Sequence, residues 1–258
     1  LPLVLIPTTA GTGSEVTPIS IVTVEDDEKR GVVSPVILPD VAILDPELTL
    51  GLPAHVTAAT GVDAMVHAIE AYTSKSANNN PLSRALAIEA LTLISANIER
   101  AVAQGDDINA RSGMLLGSML AGQAFANSPV AAVHALAYPI GGRFHVPHGL
   151  SNALVLPHVL RFNAPAASGA YAELAPHVFP SLGLGRATAT QDITAQFIEE
   201  IADLNKRLGL QTQLREVGIS QADLPQMASD AMKQTRLLVN NPREVSEQDA
   251  FDIYRAAY

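Results

Sequence analysis

The sequence predicts a mainly α protein, in which a β-rich stretch over residues 1–50 leads into an all-helical domain over residues 51–258. Val and Ile concentrate in short runs before residue 50. From Pro53 onward Ala, Leu, Ile and Met recur at helical spacing, with breaks at Gly and Pro. The chain has 258 residues, 48% of them hydrophobic, which is enough to bury a core without staples.

Leu1–Pro7 is a short apolar run, ended by Thr8-Thr9-Ala10-Gly11-Thr12-Gly13-Ser14. Pro18–Glu25 and Gly31–Ile37 read as two strands of a hairpin with the polar tip Asp26-Asp27-Glu28-Lys29-Arg30, and Val41–Leu44 as a last strand. Helices are expected at about 53–75, 81–104, 108–126, 129–140, 151–163, 168–177, 190–208, 221–232 and 246–257. Asp107, Ser168 and Ser246 are candidate N-caps, and Gly209 and Gly218 candidate stops. Gly113, Gly117 and Ala121 fall every fourth residue on one helix, where a neighbouring backbone can approach closely.

Composition excludes several functions. Without Cys there are no disulfides, thiolate metal sites, iron–sulfur clusters or cysteine nucleophiles, so a metal must rest on imidazole and carboxylate. A net charge of −10 with no extended basic cluster is the wrong field for nucleic acid. The run Leu1–Ile6 is too short to span a membrane and lacks the flank of a signal peptide, so a soluble, cytoplasmic protein is expected.

Candidate chemistry centres on two stretches. In Thr60–Tyr72, Asp63 and His67 are four residues apart and project from one helical face, either as half of a metal site or as a hydrogen-bonded pair in the core. In Val133–Gly149, His134 lies in an apolar segment that Pro139 and Gly141-Gly142 are expected to terminate, and His148 follows in a rigid Pro147-His148-Gly149 bend. Asp63, His67, His134 and His148 together would give a divalent ion three nitrogens and one oxygen, a set suited to polarising a carbonyl or alcohol oxygen. His145 competes for the fourth position, while His55, His158 and His177 have no partner pattern. Tyr138, one turn after His134, either lines the site and passes a proton or merely packs. The Thr8–Glu15 loop can hold phosphate or ribose oxygens through its hydroxyls and backbone N–H groups, or serve only as a turn. Gly11-x-Gly13-x-x-Val16 and Gly183-x-Gly185-x-x-Thr188 each lack the third Gly of the dinucleotide fingerprint.

Five motifs in order carry a resemblance: Pro7-Thr8-Thr9-Ala10-Gly11-Thr12-Gly13-Ser14-Glu15, Leu38–Pro46, Gly61-x-Asp63-x-x-x-His67-Ala68-x-Glu70, His134, and Pro147-His148-Gly149. Together they resemble the iron-containing (group III) alcohol dehydrogenase family; Asn152 and Leu156-Pro157-His158 extend the likeness. The resemblance implies a dehydroquinate synthase-like fold, with an α/β nucleotide-binding domain, an all-helical domain, and the active site in the cleft between them. It implies a divalent metal, Fe2+ with Zn2+ as the alternative, on Asp63, His67, His134 and His148. It further implies NAD or NADP near Thr8, Thr9, Gly11, Thr12 and Lys29, and a small alcohol or aldehyde substrate that exchanges hydride with nicotinamide C4. A homodimer is implied as well. Tyr138 stands where several members carry a further His, which leaves the proton relay open. The family's pyrophosphate loop belongs upstream of Leu1, so the sequence is expected to begin within the nucleotide domain. A catalytically silent metal-binding fragment is the rival expectation. Maleylacetate reductase-like, glycerol dehydrogenase-like and hydroxyacid-oxoacid transhydrogenase-like activities are neighbouring ones. A helical metal-dependent hydrolase lacks its expected adjacent His-Asp pair.

Overall fold

The structure is a computed structural model that describes residues 1–23, 29–182 and 189–258. Asp26, Asp27 and Glu28 of the expected hairpin tip and the Gly183–Thr188 motif fall outside the described residues, as does the side chain of Lys29; Lys29 and Arg30, expected in the tip, begin a strand instead.

Strands β1 (Val4–Leu5) and β4 (Val41–Ala42) pair in parallel, and β2 (Ile19–Thr23) and β3 (Lys29–Val33) form the antiparallel pair, with Ile19 opposite Val33 and Ile21 opposite Gly31. The strand expected to reach Ile37 stops at Val33. Pro35–Ile37 instead forms a 3-10 turn, whose start is capped by Ser34 accepting a hydrogen bond from the Val36 N–H. Pro at the first position cannot donate to a ladder but suits a helical start.

The helices are α1 (Ala54–Thr73), α2 (Pro81–Ala103), α3 (Ile108–Asn127), α4 (Ala132–Phe144), α5 (His148–Val178), α6 (Thr190–Arg207), α7 (Leu224–Met232), α8 (Thr235–Leu238) and α9 (Glu247–Ala257). Helix α1 is apolar nearly all round, and α2, α3 and α5 pack against it, so it lies at the centre of the core. The small-residue stripe on α3 does bring its neighbour close: a Cβ on Gly117 would stand 2.7 Å from Ile94 Cγ1 and 3.2 Å from the Ala90 carbonyl, both on α2. Asp107 caps α3 by accepting from the Asn109 and Ala110 N–H groups, and Ser246 caps α9 in a reciprocal box with Asp249.

Three helical expectations are corrected. Residues 151–163 and 168–177 belong to a single helix, α5, which runs through Pro157, Pro165 and Pro176. Val159, Leu160, Ala167, Tyr171 and Leu174 carry one buried face across Pro165, and that burial outweighs the lost backbone hydrogen bond. Ser168 is therefore interior and not a cap. Similarly, α4 continues through Pro139, Gly141 and Gly142 to Phe144, held by buried contacts with α5 and α7. Helix α8 was not expected. Among the described residues, no helix is long and apolar enough to cross a membrane.

Candidate metal centre and active site

Three elements aim polar side chains at one point. The middle of α1 supplies Asp63 and His67 one turn apart, the first turn of α4 supplies His134, and the first residue of α5 is His148. One ligand atom each from Asp63, His134 and His148 lies within 4.8 Å of the other two. His67 falls outside that group but sits against it. Its ring stacks on His134 at a centroid distance of 4.7 Å on one side and on Phe125 at 4.4 Å on the other.

The hydrogen-bond partners fix the tautomers. His67 Nδ1 lies 3.1 Å from the Gly11 carbonyl, which can only accept, so Nδ1 carries the hydrogen and Nε2 keeps its lone pair. His134 Nδ1 lies 2.7 Å from Glu70 Oε2, and its Nε2 turns to Asp63 Oδ1 at 3.8 Å. Glu70, buried on α1, also accepts from the Ala131 and Val133 N–H groups at 3.0 and 2.7 Å. Ala131 at the start of α4 has no side-chain cap of its own. One carboxylate thus caps the helix that carries His134 and orients that residue's ring.

Burial and charge divide the protonation states. Burial, reinforced by the neighbouring His134 and His148 and only partly offset by Asp63, pushes His67 down to about 3, so its ring is neutral. Burial alone would raise Asp63, but the three imidazoles and a hydrogen bond from Asn152 outweigh it and hold the carboxylate below its ordinary range. For His134, burial pulls the pKa down, while the hydrogen bond and charge of Glu70, with Asp63, carry it above its ordinary value. A cation bound here would compete with a proton for that ring.

The donor set fits a divalent cation. Asp63 Oδ1 stands 3.6 Å from His148 Nε2 and 3.8 Å from His134 Nε2, close to the ~3.4 Å between two ligands that each lie ~2.1 Å from one tetrahedral ion. The Asn152 amide nitrogen occupies the focus, 2.6 Å from Asp63 Oδ1 and 3.3 and 3.4 Å from the Nε2 atoms of His148 and His134. The acceptors therefore converge on a single electropositive group. Asn152 Oδ1 is buried with no hydrogen-bond partner. Glu70 and Asn152 stood in the motifs that carry the resemblance, but sequence reasoning gave neither of them a role in the site. Their signals were spacings: Glu70 is seven residues after Asp63, and Asn152 four after His148.

The cluster forms part of the wall of a cavity of about 890 Å3. Tyr138 lines it, its ring 6.2 Å from that of His148. Burial raises the Tyr138 phenol, partly countered by Arg236 and reinforced by Asp63 and Glu70, so it stays protonated and can donate. His145, left-handed at φ 55°, ends α4 and faces the cavity outside the ligand group. His55, His158 and His177 do not line it.

Of the loop residues, Thr12 reaches the cavity wall, whereas Thr8 and Thr9 do not. Gly11 presents its carbonyl to His67 and lies against Thr60 of α1. Gly13 has φ +58°, and a Cβ there would meet Gly122 Cα at 2.6 Å, so the turn needs glycine twice over.

A family model described as Fe-containing alcohol dehydrogenase family, C-terminal, matches residues 57–258, and one described as iron-containing alcohol dehydrogenase matches residues 1–46. The chain is 44% identical over 260 residues to Long-chain-alcohol dehydrogenase 1 of Geobacillus thermodenitrificans, a match covering 100% of this chain and 64% of that protein. It is 38% identical over 262 residues to the NAD-dependent methanol dehydrogenase of Bacillus methanolicus, covering 100% and 66% respectively. A crystal structure of 1,3-propanediol oxidoreductase superposes with a TM-score of 0.93 at 40% identity, over 100% of this chain and 66% of that one. The chain thus spans somewhat less than two thirds of the length of these relatives.

Proposed function

This chain belongs to the iron-containing alcohol dehydrogenase family, and we propose on that premise that it serves a metal-dependent, NAD(P)-linked alcohol dehydrogenase or aldehyde reductase. The observation that carries the reading is the convergence of Asp63, His134 and His148 on one point in the wall of a large cavity. The name of the Bacillus methanolicus relative supports NAD as the cofactor. An N/O donor set without thiolate suits Fe2+ and Zn2+ alike, and the description of the matching family favours Fe2+, with Zn2+ as its competitor.

Asp63, His134 and His148 would hold the ion, with His67 as a fourth ligand through its bare Nε2. When bound, the ion supplies Lewis acidity toward the substrate oxygen, and the nicotinamide supplies the hydride acceptor or donor. The chain's own residues do the rest. Glu70 holds one hydrogen of His134 on Nδ1, so that the neutral ring offers its lone pair at Nε2, and the Gly11 carbonyl does the same for His67. Tyr138 holds a proton at its phenolic oxygen beside the cluster, ready to be donated toward a carbonyl oxygen or received back from an alcohol. Phe125 and the apolar part of the cavity wall would limit the access of water to the reacting atoms. Thr12, with Lys29 and the backbone of the Thr8-Thr9 turn, would contact the nucleotide. A domain boundary near residue 50 is supported by the change of matching family model between residues 46 and 57. Cytoplasmic residence and a homodimer complete the proposal by resemblance to the family.

The test is elemental analysis of the purified chain. One divalent ion per chain is expected, with its loss in His134→Ala and His148→Ala; full metal content in either variant overturns the assignment. A metal-binding module without turnover is the rival reading. Nicotinamide nucleotide titration separates the two, because specific binding belongs to the enzyme alone.

A further inference from the structure

Charge on the cavity wall runs against charge on the whole chain. The protein carries −10 overall, with 26 acidic residues. Yet among the described residues Asp63 is the sole carboxylate lining the cavity, and it is engaged by Asn152 and the imidazoles. The wall also carries one guanidinium, that of Arg236 on α8. Elsewhere the arginines tend to find acids: Arg143 pairs with Asp230 at 2.9 Å, Arg161 with Glu199 at 2.8 Å and Arg207 with Glu99 at 2.6 Å. Arg236 has no such pair among the described residues.

Its position is nonetheless built. The Asn240 amide donates to the Arg236 carbonyl at 3.0 Å and to the Val130 carbonyl at 3.1 Å, which ties α8 to the segment entering α4. The guanidinium lies over β3 at Gly31, where a Cβ would come within 2.6 Å of Nη2. A side chain at that position would push the guanidinium aside. Arg236 is also within electrostatic reach of the Tyr138 phenol, which neighbours His148. A guanidinium with no acid partner among the described residues, on a main chain tied down by Asn240, therefore shares one apolar-walled cavity with the candidate metal cluster.

We propose that Arg236 receives an anionic substituent, a carboxylate or sulfonate, at the end of the substrate remote from its reacting oxygen. The substrate class is then an ω-hydroxy or ω-oxo acid rather than a neutral alcohol. This rests on the dehydrogenase reading above for what happens at the oxygen, but not for the anion contact itself. A guanidinium matches a carboxylate bidentately, and Arg236, though solvent-exposed, stands on the wall of that cavity, where it distinguishes an anionic substituent from a neutral one. The acid-poor wall of an acidic protein would also draw anions toward the site.

The test compares 4-hydroxybutyrate with 1-butanol, which match closely in length and differ in charge, by calorimetric or ligand-observed NMR titration of the wild-type chain, Arg236→Gln and Arg236→Lys. Metal content and turnover are recorded on the same samples. The wild-type chain is expected to bind 4-hydroxybutyrate about 10-fold or more tightly than 1-butanol. Arg236→Gln should abolish the difference, and Arg236→Lys should keep part of it. Equal affinities in the wild-type chain, no binding of 4-hydroxybutyrate, or an unchanged preference in Arg236→Gln would each overturn the proposal. An Arg236→Gln effect confined to NAD+ affinity would overturn it too, by assigning the guanidinium to the cofactor. Charge discrimination without metal or turnover would leave the anion contact standing and remove the dehydrogenase reading. Turnover without discrimination would do the reverse.

Discussion

Glu70 shows how much one side chain can organise. Its carboxylate closes the uncapped start of α4 and holds His134 Nδ1, so helix position and ring orientation depend on the same group. Replacing it with Gln keeps the shape but puts an amide where two N–H groups and an imidazole N–H all seek acceptors. Glu70→Gln is therefore expected to weaken divalent-metal affinity about 10- to 100-fold while the far-ultraviolet circular dichroism stays unchanged. Competition against a chromogenic chelator measures it, and wild-type affinity in the variant would remove Glu70 from this role. Asp63 and His67 were legible in the sequence because one helix fixes both through a four-residue spacing. The roles of Glu70 and Asn152, which appear in the sequence motifs, were not legible, because their partners lie on other elements, up to 89 residues away.

At the scale of elements, the α2–α3 contact is set by small residues. Gly117 packs against Ile94 and the Ala90 carbonyl, and backbone cannot yield as a flexible side chain can. Gly117→Ala is expected to destabilise the fold by about 1–3 kcal/mol, read as a lowered midpoint in urea unfolding. A midpoint equal to that of the wild-type chain would mean the two helices can part without cost. The proline-containing helices teach the converse lesson. Local rules broke α5 at Pro165 and α4 at Pro139, but a continuous buried face on each side kept the helix intact. Caps were more predictable: Asp107 and Ser246 act within their own first turn, so no distant contact can overrule them.

For the molecule as a whole, acid stability follows from a histidine that burial keeps neutral. His158 on α5 is pushed down to about 4 by burial and by Arg161, with Glu199 opposing weakly. In the unfolded chain the group returns to an ordinary value of about 6.5. Between those two values the unfolded state binds more protons than the folded one. The contribution is therefore present above about pH 6.5 and is lost as the pH falls toward 4, by at most about 1.4 kcal/mol per pH unit. Unfolding free energies of the wild-type chain and His158→Gln, measured from pH 7 to pH 4, should show a shallower decline in the variant. Parallel curves would contradict the assignment.

The sequence by itself determined the helical class, most helix starts and four candidate ligands, because periodicity, capping and four-residue spacing are local properties of the chain. Three matters were decided only in the tertiary structure: which of those ligands gather at one point, which carboxylate orients them, and that Arg236 faces the same cavity without an acid among the described residues. The reason is physical. Convergence and charge compensation depend on the distances between elements that sequence separates widely, and packing of the core around α1 sets those distances.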